Sequence, residues 1–111
     1  MSDKILSALL AKSWVIETLS HLFEDSELFY WRTSNNAELD CFLNFQGKNL
    51  GFEIKYTDAP RRTKSMLVAC KDLDLTHLYV IYPGQKAYTL DERISVIPLA
   101  HLKSLVDQLK A

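Results

Sequence analysis

Asp40, Glu53 and Lys55 are the residues whose types and spacing suggest chemistry, and they lie in a stretch shaped like two short strands around a turn. Residues 38–45 and 50–55 are apolar and aromatic at alternate positions, and Gly47 lies between them as a natural turn residue. Folding the stretch about Gly47-Lys48 predicts a hairpin register. Phe45 faces Leu50, Leu43 faces Phe52, Cys41 faces Ile54 and Asp40 faces Lys55. Side chains alternate between the faces of a strand. One face then carries Cys41, Leu43, Phe45, Leu50, Phe52 and Ile54 and belongs to a core. The other carries Glu38, Asp40, Phe42, Asn44, Gly51, Glu53 and Lys55. Two carboxylates and an ammonium on one surface suit a hard divalent cation held beside a charge-stabilising group. A cross-strand Asp–Lys pair by itself contributes only a few tenths of a kcal/mol, roughly, so the spacing is the informative part.

The elements that position these residues follow from pattern. Residues 3–23 contain no glycine or proline and are rich in Leu, Ala, Lys and Glu, which predicts a helix capped at Ser2 or Asp3. Val15, Ile16, Leu19, Leu22 and Phe23 share one arc of it; Leu6 and Leu10 lie elsewhere, near the line of Ser13 and Glu17. Glu17 is thus either at the edge of a buried surface or aimed at a site. Residues 28–33 read as an aromatic, β-branched strand, and Ser34-Asn35-Asn36 as a turn. Beyond the hairpin of 37–56, Asp58-Ala59-Pro60 breaks the chain. A helix is expected over 61–73, burying Met66, Leu67, Cys70 and Leu73. Residues 77–82 form an apolar strand, 86–90 and 94–97 short strands, and 99–109 an amphipathic helix with Leu102, Leu105, Val106 and Leu109 at helical spacing.

This order implies a single domain over residues 1–111 of the α/β (α+β) class, with an α-β-β-β-α-β core and a mixed sheet flanked by helices. The unit from strand 50–56 through helix 61–73 to strand 77–82 calls for parallel strands joined by a crossover.

Composition narrows the function classes. The net charge is −1, so affinity for nucleic acid would have to come from a local patch, and Lys55, Arg61, Arg62 and Lys64 form the one available. No apolar run reaches membrane-spanning length. Cys41 and Cys70 stand outside any Cys-x-x-Cys pair, and a bridge between them has no motivation. A reduced, cytoplasmic setting is the default expectation. His21, His77 and His101 are scattered, with no zinc-ligand spacing.

Asp40, twelve intervening residues and then Glu53-Ile54-Lys55 resembles the PD-(D/E)xK nuclease motif, and the element order resembles the restriction-endonuclease-like fold. More broadly, Tyr30-Trp31-Arg32-Thr33, Glu38-Leu39-Asp40, Glu53-Ile54-Lys55 and Ile94-Ser95-Val96-Ile97-Pro98-Leu99 together resemble a domain of unknown function. That domain is found at the C-terminal end of many prokaryotic AAA-type ATPases. Ser13-Trp14-Val15-Ile16-Glu17-Thr18-Leu19 stands where that family carries a helical glutamate, with Ser13 in place of its usual glycine. The resemblance implies that Asp40, Glu53, the Ile54 carbonyl and Glu17 hold Mg²⁺ or Mn²⁺, with Glu38 as a weaker ligand candidate. It implies that Lys55 orients water or neutralises charge, and that Arg61, Arg62 and Lys64 contact DNA. An ATPase domain or partner protein is the second implied partner. The chain contains no GxxxxGK[ST] phosphate loop, so it is either a stand-alone descendant or the tail of a longer chain. The other reading of the same fold is a non-catalytic nucleic-acid or protein interaction module.

Overall fold

The computed structural model describes the backbone of residues 3–111 and the side chains of residues 6–111. The cap expected at Ser2 or Asp3 involves side chains outside the described residues. The elements follow one another as helix α1 (Asp3–Leu22), strands β1 (Phe29–Arg32), β2 (Glu38–Phe45) and β3 (Lys48–Ile54), helix α2 (Lys64–Asp72), strands β4 (His77–Tyr82), β5 (Tyr88–Asp91) and β6 (Ile94–Pro98), a 3₁₀ turn (Leu99–His101), and helix α3 (Leu102–Lys110). They build a mixed sheet of six strands in the order β1-β2-β3-β4-β6-β5. The β3–β4 and β4–β6 pairs are parallel, and β5 closes the edge antiparallel to β6.

Helices cover both faces of the sheet. On one, Val15 and Leu19 of α1, Phe23 and α3's Leu102 and Val106 pack on Cys41, Leu43, Leu50, Phe52 and Ile54. On the other, Met66, Ala69 and Cys70 of α2 pack on Leu39, Leu78, Val80 and Val96. Each fully buried Leu, Ile or Phe side chain stabilises such a core by about 1.5–3 kcal/mol relative to exposure. The two apolar sides expected for α1 have different fates. The Val15–Leu19–Phe23 arc is buried, whereas Leu6, Leu9, Leu10 and Trp14 remain exposed.

The hairpin turn is one residue earlier than its sequence suggests. Gln46 and Gly47 both have positive φ (51° and 81°), the backbone of a two-residue turn whose twist matches that of the flanking strands. Phe45 therefore pairs with Lys48, Leu43 with Leu50, and Cys41 with Phe52. The expected register is off by two positions, which preserves which face each β3 residue occupies. A second departure does alter a face. Phe29 of β1 pairs with Phe42 while Trp31 pairs with Leu39, so β2 carries one extra residue between them. Leu39 accordingly packs on the α2 side, although Cys41 and Leu43 pack on the α1 side. This is a β-bulge at Asp40-Cys41, a device that bends a strand and re-aims a side chain. Gly51, opposite Phe42, lacks the Cβ that would meet the Leu75 and Leu39 methyl groups at 2.8 and 3.0 Å. Its bareness lets those two leucines close over β3.

Helix α2 begins three residues later than expected, because the Thr63 hydroxyl caps it by accepting the Met66 amide at 3.2 Å. Met66 and Cys70 are buried as expected and Leu73 is partly buried; Leu67 instead faces solvent and Ala69 takes the core position. Both cysteines are free and buried in opposite layers, so the sheet separates them.

Candidate functional site

The bulge places Asp40 where β2 and β3 diverge. The main-chain ladder of paired residues runs only as far as Cys41 and Phe52; beyond it, side chains supply the missing links. The Asp40 amide donates to a carboxyl oxygen of Glu53 (Oε1, 3.2 Å), and the Ile54 amide donates to Asp40 Oδ2 (2.8 Å). Alternation along the strands was expected to bring the two carboxyl groups to one face. The bulge breaks that alternation at Asp40, and the pair meets in the fork between the strands.

Two lysines complete the cluster. Lys55 Nζ lies 3.5 Å from Glu53 Oε2, two residues along the same strand end. Lys12 reaches from α1 to place Nζ 3.3 Å from Asp40 Oδ1. The result is a row, Lys12–Asp40–Glu53–Lys55, in which each carboxyl oxygen has a protein donor or cation beside it. Among the described residues, Glu53 is the one charged residue that is buried, at 5% exposure. Burial, and next the adjoining Asp40 carboxyl, push its pKa up to about 8, with Lys55 pulling the other way. Burial and the neighbouring carboxyl both favour the protonated form of Glu53.

The other residues singled out by sequence lie in different settings. Glu17 does not join the pair: its side chain is 75% exposed and faces His21 one turn along α1, at 3.8 Å. It shares the exposed side of the helix with Leu10 and Trp14, which no layer covers. Glu38 is also drawn away, because its carboxylate accepts the Tyr30 hydroxyl at 2.7 Å and its main chain bonds the Ser65 hydroxyl. Tyr30's own pKa is raised, chiefly by that bond. Among the described residues, no group of three Asp, Glu, His or Cys side chains gathers as a metal cage. Ile54 turns its side chain into the core and gives its amide to Asp40, leaving its carbonyl as the only group it could offer a ligand.

The basic patch is divided. Arg62 pairs with Asp91 of β5 at 3.1 Å, on a strand three positions beyond β3, roughly 14 Å across the sheet. Arg61 and Lys64 are exposed, and among the described residues they form no ion pair. A cleft of about 370 Å³ lined by Tyr56, Thr57, Asp58 and Pro83 opens just past Lys55 at the carboxyl ends of β3 and β4. A second, of about 560 Å³, lies between the β1–β2 turn and α2, with Asn35, Asn36, Lys64 and Asp72 among its lining. Neither cleft is lined by Asp40 or Glu53.

Lys12 was missed by sequence reading. A signal existed: it is three, four and seven residues before Val15, Ile16 and Leu19, so it sits on the buried arc of α1. A lysine on such an arc needs an acidic partner or a route to solvent.

Comparison with known proteins gives a family model described as a domain of unknown function (DUF4143), which matches residues 9–102. Two uncharacterized mycobacterial proteins, Mb2031c of Mycobacterium bovis and Rv2008c of Mycobacterium tuberculosis, are each 37% identical over 107 residues. The alignment covers 92% of this chain and 24% of each relative, so the chain spans about a quarter of their length. No helix among the described residues is long and apolar enough to cross a membrane.

Proposed function

The chain belongs to the DUF4143 family, and from its site we propose a metal-dependent, nuclease-like domain that acts on DNA phosphodiesters. One observation carries the reading: the Asp40 amide bonds the Glu53 carboxyl and the Ile54 amide bonds the Asp40 carboxyl, which holds both acidic groups at one strand fork, with Lys55 Nζ 3.5 Å from Glu53. That is the constellation whose spacing resembles the PD-(D/E)xK motif.

The donor set fits a hard divalent cation, which prefers carboxylate and carbonyl oxygens and keeps several waters. Asp40 and Glu53 would hold Mg²⁺ or Mn²⁺, with the Ile54 carbonyl as a third oxygen. A bound ion supplies an activated water and neutralises charge on the phosphate. Lys55 remains beside the pair as a fixed cation for negative charge that develops during hydrolysis. Arg61 and Lys64, exposed beyond the end of β3, are the residues proposed to touch the DNA backbone. Arg62 is held by Asp91 and contributes to loop structure instead. The relatives' greater length leaves room for an ATPase portion, and we propose that such a portion presents the substrate.

A second reading is favoured by a specific observation: every carboxyl oxygen of the pair already has a protein partner. On that reading the pair is a clasp that holds the strand fork closed, and the domain is a non-catalytic module binding nucleic acid or protein. A melting scan with and without millimolar Mn²⁺, run beside a plasmid-nicking assay, separates the two. A nuclease shows a metal-dependent rise in Tm and metal-dependent nicking. A clasp shows neither.

A further inference from the structure

We propose that Lys12 is the resident counter-cation of the Asp40–Glu53 pair, and that a divalent ion loads the site by displacing it. The inference rests on the metal reading above and names a regulatory residue that the motif does not contain.

The argument begins with the oxygens. Asp40 Oδ2 is committed to the Ile54 amide and Glu53 Oε1 to the Asp40 amide. Both bonds replace rungs of the sheet, and breaking either would leave a partly buried amide unpaired. The outward-facing oxygens are therefore Asp40 Oδ1 and Glu53 Oε2. Each is already faced by an ammonium group, Lys12 at 3.3 Å and Lys55 at 3.5 Å. A divalent ion binding Asp40 Oδ1 would stand within a few ångströms of Lys12 Nζ, and the two like charges repel.

The two lysines have similar exposure, 46% for Lys12 and 39% for Lys55, and differ in where they come from. Lys55 follows Glu53 by two residues at the same strand end, so its main chain stays beside the pair whatever its side chain does. Lys12 arrives on a flexible four-carbon stem and can turn to water without moving any backbone. It comes from another layer, faces the Asp40 oxygen that the ion would take, and is the cation assigned to leave; its ion pair with Asp40 links α1 to the sheet and is broken by metal loading.

The test is Mn²⁺ titration by calorimetry and by Tm, on the unmodified chain, Lys12→Met and Lys12→Arg. Met keeps most of the stem and removes the charge; Arg keeps the charge. The Lys12→Met chain should bind Mn²⁺ with a Kd roughly three- to tenfold lower and show a larger Tm rise. Lys12→Arg should resemble the unmodified chain. Equal or weaker Mn²⁺ binding by Lys12→Met, with clear binding by the unmodified chain, overturns the role of Lys12 and leaves the metal reading standing. No Mn²⁺ binding by any of the three, each shown folded by circular dichroism, overturns both. Binding by Lys12→Met alone supports the proposal in its strongest form.

Discussion

Asp40 and Glu53 continue the β2–β3 pairing with their side chains after the main-chain ladder has ended. The Asp40 amide bonds the Glu53 carboxyl, and the Asp40 carboxylate takes the next amide, that of Ile54. The Glu53 carboxyl that takes part in this exchange is buried. The same two residues therefore serve the sheet's geometry and any chemistry at its fork.

Asp40→Asn should separate those duties. Asn retains an oxygen for the Ile54 amide, loses the Lys12 ion pair, and relieves the repulsion on Glu53. These effects oppose one another, so the metal-free stability should change by no more than about 1 kcal/mol in urea unfolding. The Mn²⁺-dependent rise in Tm and any plasmid nicking should both disappear.

The pH dependence follows from Glu53, whose folded-state pKa is raised by burial from its ordinary value of 4.5 to about 8. Between those values the folded chain holds a proton that the unfolded chain has released. Its contribution to stability is therefore greatest below the unfolded value, declines as pH rises toward about 8, and is level beyond. Glu53→Gln should flatten that slope in unfolding curves taken from pH 5 to 9. Because an incoming ion must expel the same proton, Mn²⁺ affinity should climb over this window.

Lys55→Ala should uncouple binding from turnover. The carboxyl pair survives, so Mn²⁺ should still raise Tm by an amount close to that of the unmodified chain. Cleavage should fall by about 100-fold or more, the usual loss when one charge-stabilising group is removed. Loss of Mn²⁺ binding in this variant would instead make Lys55 a structural prop for Glu53.

Gly47→Ala tests the hairpin alone. A Cβ at Gly47 meets nothing within 4 Å, so the only cost is the positive φ of 81°. About 1 kcal/mol of destabilisation is expected in urea unfolding. The Mn²⁺ response should be unaffected, since the turn is remote from the fork.

The thiols give an independent check on the layers. Burial, followed by the neighbouring Asp40 charge, pushes the Cys41 thiol up to about 12, and burial also raises that of Cys70. In the native protein both should resist a disulfide-exchange reagent over minutes, and both should react in guanidinium. Tm should be the same with and without reductant.

Much of this protein is determined by sequence alone, wherever the cause is local. Strand 77–82 is found where its apolar run predicts it, and the helix-strand order and parallel β3–β4 pairing follow from pattern. The facing of Leu50, Phe52 and Ile54 survives even a register error, because moving the turn by one residue shifts the pairing by two. What tertiary structure decided lies where two elements compete for the same residue. The bulge at Asp40 arises because β2 must pair with β1 on one side and β3 on the other, while Leu39 is drawn to the α2 layer. Glu17 faces solvent and Lys12 the sheet because packing α1 through Val15, Leu19 and Phe23 sets its rotation. Periodicity shows that α1 has two apolar sides, but only the shape of the sheet selects which is buried, and with it which charged residue meets Asp40.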